Sequence, residues 1–479
     1  MDGYLDGGFW ARWLLQRGLG ALYLVAFVCA LNQFPALLGE RGLLPVPRFL
    51  THVPFRASPS LFHFYYSDRA FRALAWTGIA LSTAVVVGLL QAGPIWTSVA
   101  VWLVLWLLYM SIVNVGQTFY SFGWETMLLE SGFFAAFLGP DHIAPAPVAI
   151  LAMRWILFRS ELGAGLIKLR HDKCWRDLTC LYYHYETQPM PNALSWRFHH
   201  FPKVVHRAGV VFSHFVQVIV PFGLFMPQPI AAISGLMMIA HQLLLIVSGN
   251  YAWLNWLTVV LAFSTFADSL VPLPAATFSP RPLAFEIVQY ALALATLALS
   301  IRPALNLISK HQAMNASYNK LHLVNAYGAF GSVTRERFEV VLEGRADASE
   351  ESWREYGFKG KPGDPRRRPP QVAPYHLRLD WLMWFVPLRG FGRPERWLTR
   401  LCEQLLDGEH AALGLLGHNP FPDGPPQQIR ALMYQYAFTT PHERAQSGAI
   451  WKRELVSELF RVGSAGSTPL AASRAGASA

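Results

Sequence analysis

Three ionisable residues, Arg154, Glu161 and Lys168, stand seven apart in a mostly apolar stretch. At about 100° per residue, seven steps return to within about 20° of the starting direction, so a helix here carries plus, minus and plus along one stripe. Charges inside an apolar span are expensive and mark either a function or mutual pairing. Two pairings are open. Glu161 could neutralise its neighbours, or Glu125 and Glu130 of the preceding segment could do so; either gives a buried ion network that sets helix register.

The four cysteines sort by position. Cys29 and Cys402 fall in helical patterns, where a thiol acts as a small apolar group. Cys174 and Cys180 are close together in a connecting segment, and the five residues between them allow a disulfide if the chain turns. Such a bond forms on the oxidising side of a membrane; two reduced thiols are the alternative. Around them, "CLYYHYETQPMPNALSW" gathers Tyr182, Tyr183, Tyr185 and Trp196. These are expected to be exposed and to offer contact area to a partner, or to form an interfacial belt at headgroup level. His184, His199, His200 and His206 are too loosely spaced for a zinc site and read as interface residues. His214 with Gln217, and His241 with Gln242, fit hydrogen bonds between helices. No cofactor or metal site is expected: the chain has no CxxC pair, Gly-rich phosphate loop, nucleophile elbow or HExxH.

The elements that must position these groups follow from composition. The chain is 53% hydrophobic and 15% charged, against about 25% charged in an ordinary soluble domain. That pattern predicts a polytopic α-helical membrane protein. Eight spans are expected, Leu19–Leu38, Ala73–Leu90, Ile95–Val113, Val148–Leu169, Val210–Met226, Ile230–Val247, Trp253–Leu270 and Phe285–Ile301, each near the length that crosses about 30 Å of hydrocarbon. Phe122–Leu138, which carries Glu125 and Glu130, is a ninth candidate. The acidic start, with Asp2 and Asp6, argues against a cleaved leader, so the first helix is expected to remain as an anchor.

Residues 1–309 thus form a helical membrane domain with a structured loop at 170–206, followed by a smaller, mainly β soluble domain over 310–460 and a low-complexity, disordered tail over 461–479. In the second domain, "RFEVVLEG" and "HLRLDW" alternate as strands do, "KPGDPRRRPP" is loop, and "RWLTRLCEQLLDG" and the run around Ile429–Phe438 read as helices. The net charge of +10 sits in loops beside spans. It fits anionic lipid headgroups, and motifs for nucleic acid are missing.

Five segments, "NVGQTFYSFGWETMLLESGF", "RSELGAGLIKLRHDKCWRDLTCLYYHYETQPMPNALSW", "NAYGAFGSVTRERFEVVLEG", "EYGFKGKPGDPRRRPPQVAPYHLRLDWLMWF" and "IRALMYQYAFT", resemble the lipase maturation factor family in content and order. The resemblance implies a polytopic membrane protein that assists folding and assembly of secreted lipases, its clients, without a known catalytic reaction. It also implies the endoplasmic reticulum membrane in a eukaryote, or the inner membrane in a bacterium, with the large loop and C-terminal domain lumenal or periplasmic. The positive-inside rule points the other way, because Arg170, Lys173, Arg176, Arg197, Lys203 and Arg207 crowd that same loop. The expectation follows the family, since the charge rule is weakest for a structured surface.

A shorter segment, "GAGLIKL" followed by Trp175, is similar to the part of the vitamin K-dependent carboxylases that carries their catalytic lysine, and Lys168 falls at that position. This implies an alternative, a membrane enzyme with Lys168 as general base, since desolvation favours a neutral amine while a nearby carboxylate such as Glu161 opposes it. A lipid or small-solute carrier using the buried charges is a third reading.

Overall fold

A computed structural model of the 479-residue chain describes residues 8–270, 278–347, 349–389 and 394–463. The apolar stretches form helices α1 (Phe9–Leu38), α2 (Asp68–Val86), α3 (Ile95–Val115), α4 (Gly123–Ala135), α5 (Pro147–Arg170), then a short α6 (Leu181–Thr187), α7 (Lys203–His214), α8 (Ile230–Ser248), α9 (Leu254–Ala262) and α10 (Leu283–Ile308). Among the described residues, five are long and apolar enough to cross a membrane: α1, α3, the run Lys203–Phe225, α8 and α10. The other expected spans are helical, but α2, α4 and α5 do not join that set, and Leu254–Thr265 is apolar but short. The run expected to reach Leu270 is interrupted at Phe266 and Ala267.

Local chemistry explains several boundaries. α1 starts ten residues before the expected Leu19, because Arg12 is fully buried and donates to the carbonyls of Ile143 (2.6 Å) and Asp141 (2.8 Å). Ser67 caps α2 by accepting from the Ala70 N–H at 3.1 Å. α1 and α2 pack closely at Gly78, where a Cβ would lie 2.5 Å from the Phe27 ring. α7 continues through a π turn at Phe215–Ile219 into a 3-10 run at Val220–Phe225, which begins beside Pro221, a residue with no N–H for the helical ladder. α10 stands at the periphery, with Leu283, Leu294, Leu297 and Ile301 exposed.

After α10 the chain folds back on the helices. A small antiparallel pair, β1 (Ala316–Ser317) and β2 (Asn325–Ala326), precedes a four-stranded antiparallel sheet of β3 (Arg337–Arg345), β4 (Arg354–Glu355), β5 (Gln428–Phe438) and β6 (Trp451–Gly463), in the order β4-β3-β5-β6. β3 pairs with β5 from Arg337↔Tyr436 to Arg345↔Gln428, and β5 with β6 from Phe438↔Trp451 to Gln428↔Gly463. Helix α11 (Arg378–Phe385) lies against β3, and α12 (Arg396–Leu406) against β5 and β6. Gly408, at φ +69°, follows α12 in the left-handed conformation that helix ends favour.

Two expectations are corrected. "HLRLDW" is not a strand: α11 begins within it, at Arg378. His376, Arg378, Leu379, Asp380 and Trp381 are all buried, so its alternation of polar and apolar residues does not reflect two faces. Asp380 instead accepts the N–H groups of Gly360 (2.6 Å) and Lys361 (3.0 Å). The run Ile429–Phe438 is not a helix but most of β5, which pairs on both edges; tertiary pairing overrides local pattern. The expected tail from 464 onward lies outside the described residues, and β6 extends to Gly463.

Candidate functional site

The ionisable stripe lies on α5, and the structure distributes the five expected charges over different partners. Glu125, at the start of α4, is fully buried and accepts from Arg378 at 2.7 Å and from the Tyr109 hydroxyl, with His376 Nδ1 at 3.6 Å. Arg378 also donates to the Phe119 carbonyl at 2.8 Å, its guanidinium 3.4 Å from the Tyr120 ring centroid. Glu130 pairs with Arg159 of α5 and accepts from the Asn325 N–H (3.0 Å), the Asn325 side-chain amide (2.9 Å) and the Tyr327 hydroxyl (2.6 Å). Arg154 donates to the carbonyls of Ser264 (2.9 Å) and Leu224 (3.1 Å).

Glu161 and Lys168 belong to one hydrogen-bonded chain. Lys168 Nζ donates to Gln217 Oε1 at 2.6 Å, and Gln217 Nε2 donates to Glu161 at 3.0 Å. Gln242 of α8 donates to the other Glu161 oxygen at 2.6 Å. Ser213 Oγ lies 3.4 Å from Nζ, and the Trp175 ring centroid 4.8 Å from it. Gln217 and Gln242 thus bond between helices, whereas His214 Nε2 lies 3.0 Å from the Trp175 carbonyl of the connecting segment. Glu161, Lys168, Trp175, Ser213, Gln217 and Gln242 border a cavity of about 280 Å³ whose walls come from α5, α7, α8, α9 and segment 170–206.

Segment 170–206 is a packed structure. Cys174 and Cys180 are joined by a disulfide, their Cα atoms 4.8 Å apart, and pack with Trp175, Val210 and Val333. Asp172 accepts from the N–H of Cys174 (3.0 Å) and of Val333 (3.1 Å) and from Arg335 (2.9 Å). Burial opposes its charge, but these hydrogen bonds prevail and hold the carboxyl down at about 2. Among the described residues, Asp172, Cys174 and Cys180 are the one group close enough to hold a metal, and both sulfurs are committed to the disulfide. His184 is buried, its Nε2 2.9 Å from the Tyr251 hydroxyl; burial, helped by the charge of Lys168, lowers it to about 3.

The four aromatics expected to be exposed are half-buried. Tyr182 accepts from Arg207 at 3.0 Å, Tyr183 lies under the Arg335 guanidinium at 4.9 Å, and Tyr185 packs on Phe198 and His206. Trp196 donates to the Thr439 carbonyl at 2.8 Å and sits between His200 and Arg444, each 4.2 Å away. Arg337 of β3 makes the deepest connection to this segment, donating to the carbonyls of Glu186 (2.9 Å), Gln188 (2.5 Å) and Pro189 (3.1 Å). The connecting segment and the sheet therefore form one continuous body.

Sequence reasoning missed Arg159, Asn325 and Tyr327 around Glu130, and Arg378 beside Glu125. A signal existed for Arg159: it lies in the same apolar stretch, off the stripe, only two residues before Glu161. Nothing local pairs Arg378 with a carboxylate 253 residues earlier.

Residues 10–273 match the family model of the lipase maturation factor transmembrane domain, and residues 323–461 that of the lipase maturation factor C-terminal domain. Lipase maturation factor 1 of Mus musculus is 39% identical over 95% of this chain and 87% of its own length. The Homo sapiens protein of that name is 40% identical over 95% of this chain and 88% of its own length. Lipase maturation factor 2 of Homo sapiens is 28% identical over 94% and 82% respectively. No solved structure matches. Two family models in sequence order and this identity along nearly the whole chain place it in a single group: the chain belongs to the lipase maturation factor family.

Proposed function

We propose that this chain is an integral membrane maturation factor that helps secreted lipases reach their folded, active state. The observation that carries the reading is 39–40% identity over 95% of the chain to mammalian lipase maturation factor 1. Its helical part, residues 1–309, crosses the membrane eight or nine times, the shorter helices α4 and α9 being sheltered by α1, α5 and α8. Residues 310–460, joined to segment 170–206, form the working surface on the lumenal or periplasmic side, where the Cys174–Cys180 disulfide is chemically at home.

On that surface two features suit a folding client. The half-buried rings of Tyr182, Tyr183, Tyr185 and Trp196 supply rigid contact area. Strand β6 is an outer strand with Leu455 (58% exposed) and Val456 (45% exposed), and an outer strand has backbone groups ready to pair. Membrane lipids surround the helices. The maturation reading asks no covalent chemistry of Lys168, whose Nζ is held as a donor to Gln217.

The test is co-expression of the full chain with a secreted dimeric lipase in cells lacking their own factor. Secreted lipase activity should rise, and alteration of the Tyr182–Trp196 surface should remove the gain at unchanged abundance of the factor. An equal gain from an unrelated membrane protein defeats the reading. Thiol labelling of sealed vesicles after reduction tests the sidedness, and labelling of Cys174 and Cys180 from the cytosolic face overturns it.

A further inference from the structure

The cavity beside Lys168 has a polar floor and an apolar mouth. At the floor, Lys168 and Glu161 are joined through Gln217 within one hydrogen-bonded chain. Three buried polar atoms there have no hydrogen-bond partner among the described residues: Gln242 Oε1, His241 Nδ1 and Asn255 Nδ2. Each belongs to a side chain only 4% exposed that borders the cavity. Buried polar atoms are ordinarily satisfied, so three on side chains around one cavity point to an occupant that meets them when these side chains turn toward it.

Their chemistry describes it. Gln242 Oε1 needs a donor, Asn255 Nδ2 needs an acceptor, and His241 Nδ1 can take either role. A hydroxyl serves all three, while a carboxylate offers nothing to Gln242 Oε1. Lys168 and Glu161 are engaged with each other through Gln217, so the floor offers an ion no free charged side chain. At the mouth, Phe201, Val205 and Leu244 are 43%, 45% and 50% exposed, and the last two lie on helices long and apolar enough to cross a membrane. A cavity of about 280 Å³ is at the small end of ligand sites, so a head group enters while an apolar tail stays along these lips.

We infer that this cavity binds a neutral, hydroxyl-bearing amphiphile of the monoacylglycerol class, its head group among Gln242, His241 and Asn255 and its tail emerging between α7 and α8. Trp175, His184 and Tyr185 of the disulfide-bearing segment border the same cavity, so an occupant touches both the helices and that segment.

The test uses the full chain in nanodiscs and a photoreactive monoacylglycerol carrying a diazirine in its acyl chain. Crosslinks should map to Lys203–His214 and Ile230–Ser248, and unlabelled monoolein should compete. Asn255→Leu should weaken binding about tenfold, the equivalent of one good hydrogen bond. Leu244→Trp, at a half-exposed position where folding is not at stake, should block the mouth and abolish labelling while the thermal midpoint stays unchanged. Labelling that survives Leu244→Trp overturns the site. Competition by oleate but not monoolein, or by both and by a plain alkane alike, overturns the head-group assignment. No lipase is present, so failure here leaves the maturation reading standing, and failure of the lipase assay leaves the binding result standing.

Discussion

Replacing Arg337 by alanine tests whether the sheet and segment 170–206 are a single body. Arg337 is 1% exposed and donates to three carbonyls, of Glu186, Gln188 and Pro189, and to Glu339 at 2.8 Å through Nε. The truncation leaves Glu339 buried with Lys361 at 2.8 Å as its remaining counter-ion, and strips one donor from each carbonyl. Removing one member of a buried ion pair costs about 3–5 kcal/mol, a large share of a total stability of about 5–15 kcal/mol. Arg337→Lys keeps the charge but lacks the fork that reaches several carbonyls, so it should recover only part of the loss. Thermal unfolding in detergent reads the stability, and limited proteolysis between 186 and 200 reads undocking. An Arg337→Ala protein with the midpoint and protease resistance of a control at exposed Arg400 would refute the reasoning.

Glu125→Ala leaves the Arg378 guanidinium buried without its carboxylate and should cost about 3–5 kcal/mol, read as a lower unfolding midpoint and lower abundance. For His184, the folded imidazole protonates near about 3 and the unfolded one near about 6.5. The unfolded state therefore binds the extra proton first: its contribution is present above about pH 6.5 and is lost as pH falls toward 3, at about 1.4 kcal/mol per pH unit. His184→Gln should flatten the dependence of the midpoint on pH between 6.5 and 5. Replacing Cys174 and Cys180 by serine opens a short covalent loop and should cost about 2 kcal/mol on the chain-entropy account, measured under non-reducing conditions. Leu455→Asp with Val456→Asp should alter stability by no more than about 0.5 kcal/mol per site while lowering secreted lipase activity, which a co-expression assay separates.

The helical part was legible because long apolar runs have few alternatives, and Glu161 and Lys168 were legible as members of one charged stripe with Arg154, which turns instead to the carbonyls of Ser264 and Leu224. What spacing could not supply was the intermediary: Gln217 joins them from another helix, and helical geometry on α5 says nothing about what faces it. Periodicity failed where burial is all-round. His376–Trp381 alternates in polarity yet is buried throughout, and Ile429–Phe438 has a helix-compatible pattern but is held between two strands. The aromatics of segment 170–206 are half-buried where exposure was expected. Trp196 also donates its N–H to the carbonyl of Thr439, 243 residues away, a distance in sequence that no local reading bridges.

The pairings of Glu125 and Glu130 also carry a message about the order in which the chain is made. Glu130 and Arg159 are made early, but the N–H of Asn325 and the hydroxyl of Tyr327 that complete their site are translated after α10. Glu125 waits longer still, for Arg378. During synthesis the Glu125 carboxyl therefore stays without its guanidinium partner until residue 378 has been made. A transcript cut short before that codon yields helices whose Glu125 lacks its guanidinium, a product expected to be cleared by quality control however many of its membrane segments are intact.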